Sequence, residues 1–289
     1  MVPYVALLPS VAVRLSERER VVGACPTVRE PFVARDVYLV RIGLAGGEIR
    51  SSELLALAAA AGPGALIEVT NRANLQIRSL DDAAWERVID CAEAFGRADN
   101  DRAGRVIADP LFGPSTGLLD ISAVVADVAA RLVALEDLSP KFGVVIDSGG
   151  PVHVRNRRAS IALGAVLVDD EVRFEVALGS SLNDGASGTI AISEAADTVA
   201  SIALGVQPRL LSYDRGTPPG FTTKVADSPV VGTHVPLGRQ PAAWWADFAS
   251  SFATDTVLRV TTRGPVVAPS AVVTDDDDLY RGDDAATDR

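Results

Sequence analysis

The stretch Thr70-Asn71-Arg72-Ala73-Asn74-Leu75-Gln76-Ile77-Arg78 concentrates side chains that can hold an anion. Read as a strand, its period of two puts Arg72, Asn74, Gln76 and Arg78 on one face, with Ala73, Leu75 and Ile77 on the other. Two guanidiniums and two amides in a row form a dense set of fixed donors, suited to a ligand with several carboxylates. Arginine fits that task because its planar fork grips a carboxylate through two hydrogen bonds and keeps its charge. An ordinary solvent-facing strand has the same pattern, and spacing alone does not choose between the two. Arg41 is a second candidate. It interrupts the apolar run Val37-Tyr38-Leu39-Val40-Arg41-Ile42, where a buried charge needs a partner unless its stem carries it out to water. Lys141, after Pro140 and just ahead of an apolar strand, is a third.

Other chemistries find no support. His153 and His234 are the only histidines, and neither has metal-ligand spacing around it. Cys25 and Cys91 are far apart and form no CxxC pair, which argues against a disulfide framework or a cysteine-built zinc site. No dinucleotide or P-loop glycine signature and no nucleophile elbow occurs. No catalytic residue is assigned, and no metal site is expected.

The elements that must position these donors fall into a repeat. Two segments, Leu44–Ile77 and Val235–Ala268, match without a gap at a constant offset of 191 residues. Gly47 aligns with Gly238, Ala58 with Ala249, and Val69-Thr70 with Arg72 align with Val260-Thr261 and Arg263. Apolar positions agree as well: Leu54 with Trp245, Leu57 with Phe248, Ile67 with Leu258. Copies this far apart point to a duplicated unit and not to a short-period solenoid.

Each copy reads as strand, helix, strand, strand. In the first, Val37–Ile42 is expected to be a buried strand. Ser51 and Ser52 are expected to cap a helix that Gly62-Pro63-Gly64 ends. Ala65–Val69 is a strand, and a helix from Asp82 to about Phe95 completes a ferredoxin-like half. Between the copies, Asp120–Leu135 reads as an amphipathic helix, Lys141–Asp147 as a strand and Ile192–Leu204 as a helix. Ser160–Val168 and Val172–Leu178 form a hairpin around Asp169-Asp170-Glu171. The expected fold is α+β, with two duplicated ferredoxin-like half-modules flanking a central α/β sirohaem-reductase-like block. The expected boundaries are 24–100, 101–215 and 221–270, followed by an acidic, disordered tail at 271–289.

Composition sets the class. Over 289 residues, 48% are hydrophobic and 22% charged, as in a globular chain. The formal charge of −11 argues against nucleic-acid binding. No apolar run is long enough for a membrane span, and the N-terminus lacks the marks of a signal peptide. A cytoplasmic location follows. The tail sets seven aspartates against Arg281 and Arg289, a solvated block by its charge.

Cys25-Pro26, VYLVRIGLAGGEI at Val37–Ile49, TNRANLQIR at Thr70–Arg78, RVIADPL at Arg105–Leu111 and KFGVVIDSGG at Lys141–Gly150 together resemble the precorrin-3B synthase branch of the nitrite/sulfite reductase superfamily. VGTHVPLGR through VLRVTTRGPVVAP resembles that family's second half-module, so the likeness runs from about residue 24 to 270. It implies a tetrapyrrole, sirohaem-like or a precorrin substrate, held between the modules by basic side chains. Arg41 then matches the arginine facing the ligand pocket. Arg72, with Asn74 and Gln76, matches the tetrapyrrole-contacting strand, and Lys141 the first lysine of the pocket loop.

Three positions depart from the family pattern. Gly143 stands where the reductases carry a second lysine. Gly104 stands where an arginine is expected, between Arg102 and Arg105. After Ala268-Pro269 the acidic tail replaces the family's cysteine-rich segment. A [4Fe–4S] cluster takes four thiolates, so two cysteines cannot supply one, and it is not expected from this chain alone. The implied function is an oxidoreductase component of cobalamin biosynthesis, with an iron–sulfur or electron-donor partner chain. A non-catalytic tetrapyrrole-binding module and a degenerate, truncated relic remain the alternatives.

Overall fold

The computed structural model describes residues 26–34, 37–98, 103–110, 118–135, 138–139, 141–150, 152–206, 210, 240–261 and 264–267. Cys25, Arg102, the linker at 216–220, Arg263 and the acidic tail lie outside the described residues. In chain order, β1 (Phe32–Ala34), β2 (Val37–Ile42) and β3 (Glu48–Arg50) precede helix α1 (Ser51–Ala61), β4 (Leu66–Val69), β5 (Leu75–Leu80) and helix α2 (Asp82–Ala94). The middle of the chain holds β6 (Val106–Ala108), α3 (Ser122–Ala134), β7 (Val144–Asp147), β8 (Ile161–Val168), β9 (Glu171–Leu178), β10 (Gly188–Ile190) and α4 (Ala195–Ala203). Last come β11 (Gln240–Pro241), α5 (Ala242–Ser250), β12 (Val257–Thr261) and β13 (Gly264–Val267).

These strands make three sheets. The first is antiparallel, in the order β1-β2-β5-β4-β11. It has one apolar face, because Val40 lies opposite Ile77, Ile42 opposite Leu75 and Ile67 opposite Ile77. Those side chains pack with Leu54, Leu57, Trp85 and Val88 from α1 and α2. The expectation of a fully buried β2 is therefore corrected: Tyr38, Val40 and Ile42 point inward, while Leu39 and Arg41 share the other face. An antiparallel sheet covered on one side gives this alternation.

The second sheet runs β10-β9-β8-β7-β6, with β6, β7 and β8 parallel and the rest antiparallel. Helices α3 and α4 cover one face through Val125, Val128, Leu132 and Val199, packed on Val144, Ile146, Leu163 and Phe174. The β8–β9 hairpin turns on Asp169 and Asp170, both at positive φ (50° and 62°). Positive φ at both central residues is what a two-residue turn of this hand requires.

Two helix starts differ in their outcome. Asp81 caps α2, its carboxylate accepting from the Ala84 N–H at 2.7 Å. Ser51 and Ser52 do not cap α1: the helix already includes both, and Ser51 Oγ donates to the Ala253 carbonyl instead. Glu53 does the local work, accepting from the Arg50 N–H at 3.4 Å. A long-range partner has displaced the local one.

The offset of 191 reappears in space. Helices α1 and α5 begin at Ser51 and Ala242, and β4 and β12 begin at Leu66 and Val257. Pairing is exchanged between the copies. Pro241 and Gln240 pair with Leu66 and Ile67, while Arg50 and Ile49 pair with Val257 and Leu258. Ala242 N–H donates to the Ala65 carbonyl at 2.9 Å, and Ser51 N–H to the Thr256 carbonyl at 2.9 Å. Each copy's short first strand thus pairs with the other copy's next strand. Trp245, Ala249, Leu258 and Val260 enter the same core as Leu54, Leu57 and Ala58. An ion pair closes the seam, Arg259 holding the Glu48 carboxylate at 2.8 and 2.9 Å.

Candidate anion-binding site

On the face of the first sheet turned away from its core, Arg41, Gln76 and Glu68 stand side by side. Gln76 is the cross-strand partner of both Arg41 and Glu68, and directly opposed residues share a face with Cβ atoms about 5 Å apart. Arg78 lies two residues along the same face. Its guanidinium grips Glu68 Oε1 through Nε (3.0 Å) and Nη2 (2.6 Å). Gln76, turned so that its amide nitrogen faces Glu68 at 3.3 Å and its oxygen faces Arg78 at 3.2 Å, closes this triad. Arg78 is thereby neutralised within the sheet.

Arg41 is different. It is partly buried, and its Nε is fully buried with no hydrogen-bond acceptor. No carboxylate pairs with it among the described residues. A buried donor left without an acceptor costs about 1–3 kcal/mol, so the fold keeps this group unsatisfied at a real expense.

The expected row of four donors on one strand face is broken. β5 begins at Leu75, and residues 70–74 form a turn in which Ala73 adopts φ +58°. That left-handed residue resets the alternation, so Arg72 and Asn74 do not continue the face of Gln76 and Arg78. The turn is tied internally: Thr70 N–H donates to the Asn74 carbonyl (2.8 Å), Ala73 N–H to the Thr70 carbonyl (3.0 Å) and Asn74 N–H to Thr70 Oγ1 (3.2 Å). Arg72 rides on it, partly buried and with no ion-pair partner among the described residues. Asn74 is buried, its side-chain amide committed to backbone: Oδ1 accepts from Leu44 N–H at 2.9 Å and Nδ2 donates to the Gly104 carbonyl at 2.8 Å.

The middle of the chain meets this turn through Gly104 and Arg157. Gly104 and Arg105 precede β6, Lys141 precedes β7, and Arg157 precedes β8; these strands are parallel, so all four residues sit at one end of the sheet. That is the amino end, opposite to the carboxyl ends where open α/β sheets usually bind ligands. Arg157 Nη1 donates to the Asn71 carbonyl at 2.6 Å, and Arg105 Nη1 to the carbonyls of Ser139 (2.8 Å) and Leu138 (3.3 Å). Lys141 is exposed, and no carboxylate pairs with it among the described residues. It lies on a turn and not in the strand expected there, which starts three residues later at Val144.

Gly104 explains a departure noted in the sequence. A Cβ at this position would lie 2.5 Å from Asn74 Oδ1 and 2.6 Å from Gly43 Cα. No side chain fits there, arginine included.

Arg157 went unrecognised in the sequence, although the basic run His153-Val154-Arg155-Asn156-Arg157-Arg158 was a signal. Its loop is anchored by acids that the folded chain hides. Asp147 accepts from Gly149 N–H (3.1 Å) and Val154 N–H (2.8 Å), and Asp109 from Ser148 N–H (2.6 Å). Arg155 pairs with buried Glu175. His153 Nδ1 lies 3.5 Å from Asp147 Oδ1, and that hydrogen bond holds the imidazole pKa above its usual value despite partial burial.

Among the described residues no group of three or more His, Cys, Asp or Glu side chains could hold a metal ion. They offer one thiol, Cys91, partly buried and raised in pKa chiefly by that burial. A four-thiolate cluster does not fit them. Arg41, Arg72 and Lys141 carry no carboxylate partner among the described residues, a donor set whose chemistry suits a polycarboxylate. No described helix is long and apolar enough to cross a membrane.

Fold and site together define a mixed α+β protein with a cationic turn between a one-faced antiparallel sheet and the amino end of a parallel one. No protein family's sequence profile matches the chain. It is similar to a precorrin-3B synthase of a Sinorhizobium species, 34% identical over 180 residues, covering 58% of this chain and 38% of that protein. Its fold is similar to that of the NirA protein of Mycobacterium tuberculosis, with a TM-score of 0.59 at 13% identity over 80% of this chain and 53% of the other. The chain therefore spans well under half the length of the first and about half of the second.

Proposed function

We propose that this protein binds a polycarboxylate tetrapyrrole at Arg41, Arg72 and Lys141, as a precorrin-3B synthase-like oxidoreductase component of cobalamin biosynthesis. One observation carries the reading. Of the four cations singled out by sequence, only Arg78 has a carboxylate partner; Arg41, Arg72 and Lys141 have none among the described residues, and Arg41 Nε is buried without an acceptor. Likeness to a precorrin-3B synthase supports the substrate class. A sirohaem-like group or a precorrin would set its carboxylates against these cations. The matched copies at an offset of 191 are read as two ferredoxin-like half-modules. Electrons would arrive from an iron–sulfur or other electron donor.

The test is a titration of the protein with sirohaem and with uroporphyrin, an octacarboxylate, followed by absorbance at several salt concentrations. Tight binding that weakens with salt, and weakens about tenfold or more in Arg41→Ala and in Arg72→Ala, is expected. Arg78→Ala should change affinity by no more than about twofold, because Glu68 already satisfies it. Absence of binding by the unmodified protein overturns the proposal.

A further inference from the structure

Asn74 looks by residue type like a ligand donor, but its side chain is buried and both ends of its amide are bonded to backbone. One oxygen and one N–H of the amide join the loop after β2, at Leu44, to the turn before β6, at Gly104. Both bonds are buried, and both partners are backbone groups from different parts of the chain. The β2–β5 ladder already sets Arg41 against Gln76 and Ile42 against Leu75; the amide adds a tie from the turn that carries Arg72 to that end of the sheet and to the approach to β6. Arg157 holds the same turn from the other side through Asn71.

We propose that Asn74 is the positioning residue of the anion site, acting through Arg72, with Arg157 as a second clamp on the same turn. The inference rests on the anion-site reading but concerns the ligand-free protein as well. In the absence of ligand, the Thr70–Asn74 turn already has its binding shape, imposed by the segment that leads into β6.

Asn74→Asp supplies the sharp test. The two side chains have the same shape. An ionised carboxylate still accepts from Leu44 N–H but faces the Gly104 carbonyl with lone pairs and no donor. A protonated acid restores both bonds, its O–H donating to Gly104 and its C=O accepting from Leu44. Burial favours the neutral form and raises the acid's pKa.

The melting temperature of ligand-free Asn74→Asp, relative to the unmodified protein, should rise as pH falls from about 8 to about 5. Uroporphyrin affinity, taken as a ratio to the unmodified protein at each pH, should be about tenfold lower at the upper end and largely recovered at the lower. Asn74→Ala combined with Arg72→Ala should bind no worse than Arg72→Ala alone.

A pH-independent melting difference overturns the bridging role, and losses that multiply in the double variant overturn action through Arg72. If Asn74→Ala does not fold, the Asp variant at low pH still decides. Failure of the unmodified protein to bind uroporphyrin sinks the anion-site reading and the positioning role with it. The ligand-free melting profile then still reports whether the amide bridge exists.

Discussion

Replacing Arg41 by methionine should make the ligand-free protein more stable and a worse binder. The residue sits on β2 with its stem among neighbours and its Nε buried without an acceptor. Methionine fills a similar volume with a flexible apolar chain. Removing an unsatisfied buried donor recovers about 1–3 kcal/mol, and each kcal/mol moves the melting temperature of a chain of this size by about 2–4 °C. A rise of about 2–12 °C follows from those two figures. For a carboxylate ligand, a charge-assisted hydrogen bond contributes about 1.5–3 kcal/mol, so affinity should fall about ten- to hundredfold. Differential scanning fluorimetry without ligand and uroporphyrin titration would read both quantities from one preparation. A variant that melts lower and binds as before would refute the reasoning, since Arg41 would then be a structural residue with a satisfied charge.

Further outcomes follow from other contacts. Arg97 holds buried Glu53 at 2.5 and 3.0 Å, and Arg97→Ala should cost about 1.5–3 kcal/mol in urea unfolding, because Glu53 then keeps only the Arg50 N–H and the Arg50 guanidinium at 3.8 Å. Gly104→Ala should cost about 1–3 kcal/mol, because the new methyl meets Asn74 and Gly43 well inside contact distance; an unchanged urea midpoint would count against the packing described. The pKa of His153 is raised on folding by its hydrogen bond to Asp147. Its contribution is therefore complete below the unfolded value of about 6.5 and is lost as pH rises through the folded one. Melting measured from about pH 6 to about pH 9 should show that loss, and His153→Asn should flatten it.

Local pattern made much of the fold legible. The apolar run of Val37–Ile42 gave β2 its limits though not its half-buried pattern, Asp169-Asp170 marked the hairpin, and the offset of 191 located α5 and β12. Where local pattern and distant partner disagreed, the distant partner won. Ser51 is a good cap by type, yet Ala253 takes its hydroxyl. The period of two through Arg72–Arg78 looked unbroken, but Ala73 enters the left-handed region and Asn74 turns to Leu44 and Gly104. Glu68 was visible in the sequence, and only the β4–β5 register reveals that it silences Arg78. Arg157 lies 86 residues from the carbonyl that it reaches, a separation that spacing arguments do not cross.

The strand exchange between the copies has a kinetic meaning. While the chain is being synthesised, β3 waits unpaired and β4 with one edge open until Gln240–Pro241 and Val257–Arg259 emerge to pair with them. Open strand edges are templates for promiscuous pairing, and contacts between remote residues form slowly. The N-terminal portion is thus exposed to aggregation until those later residues emerge. Expressed alone, it should need a holdase or the separately supplied C-terminal segment to stay in solution.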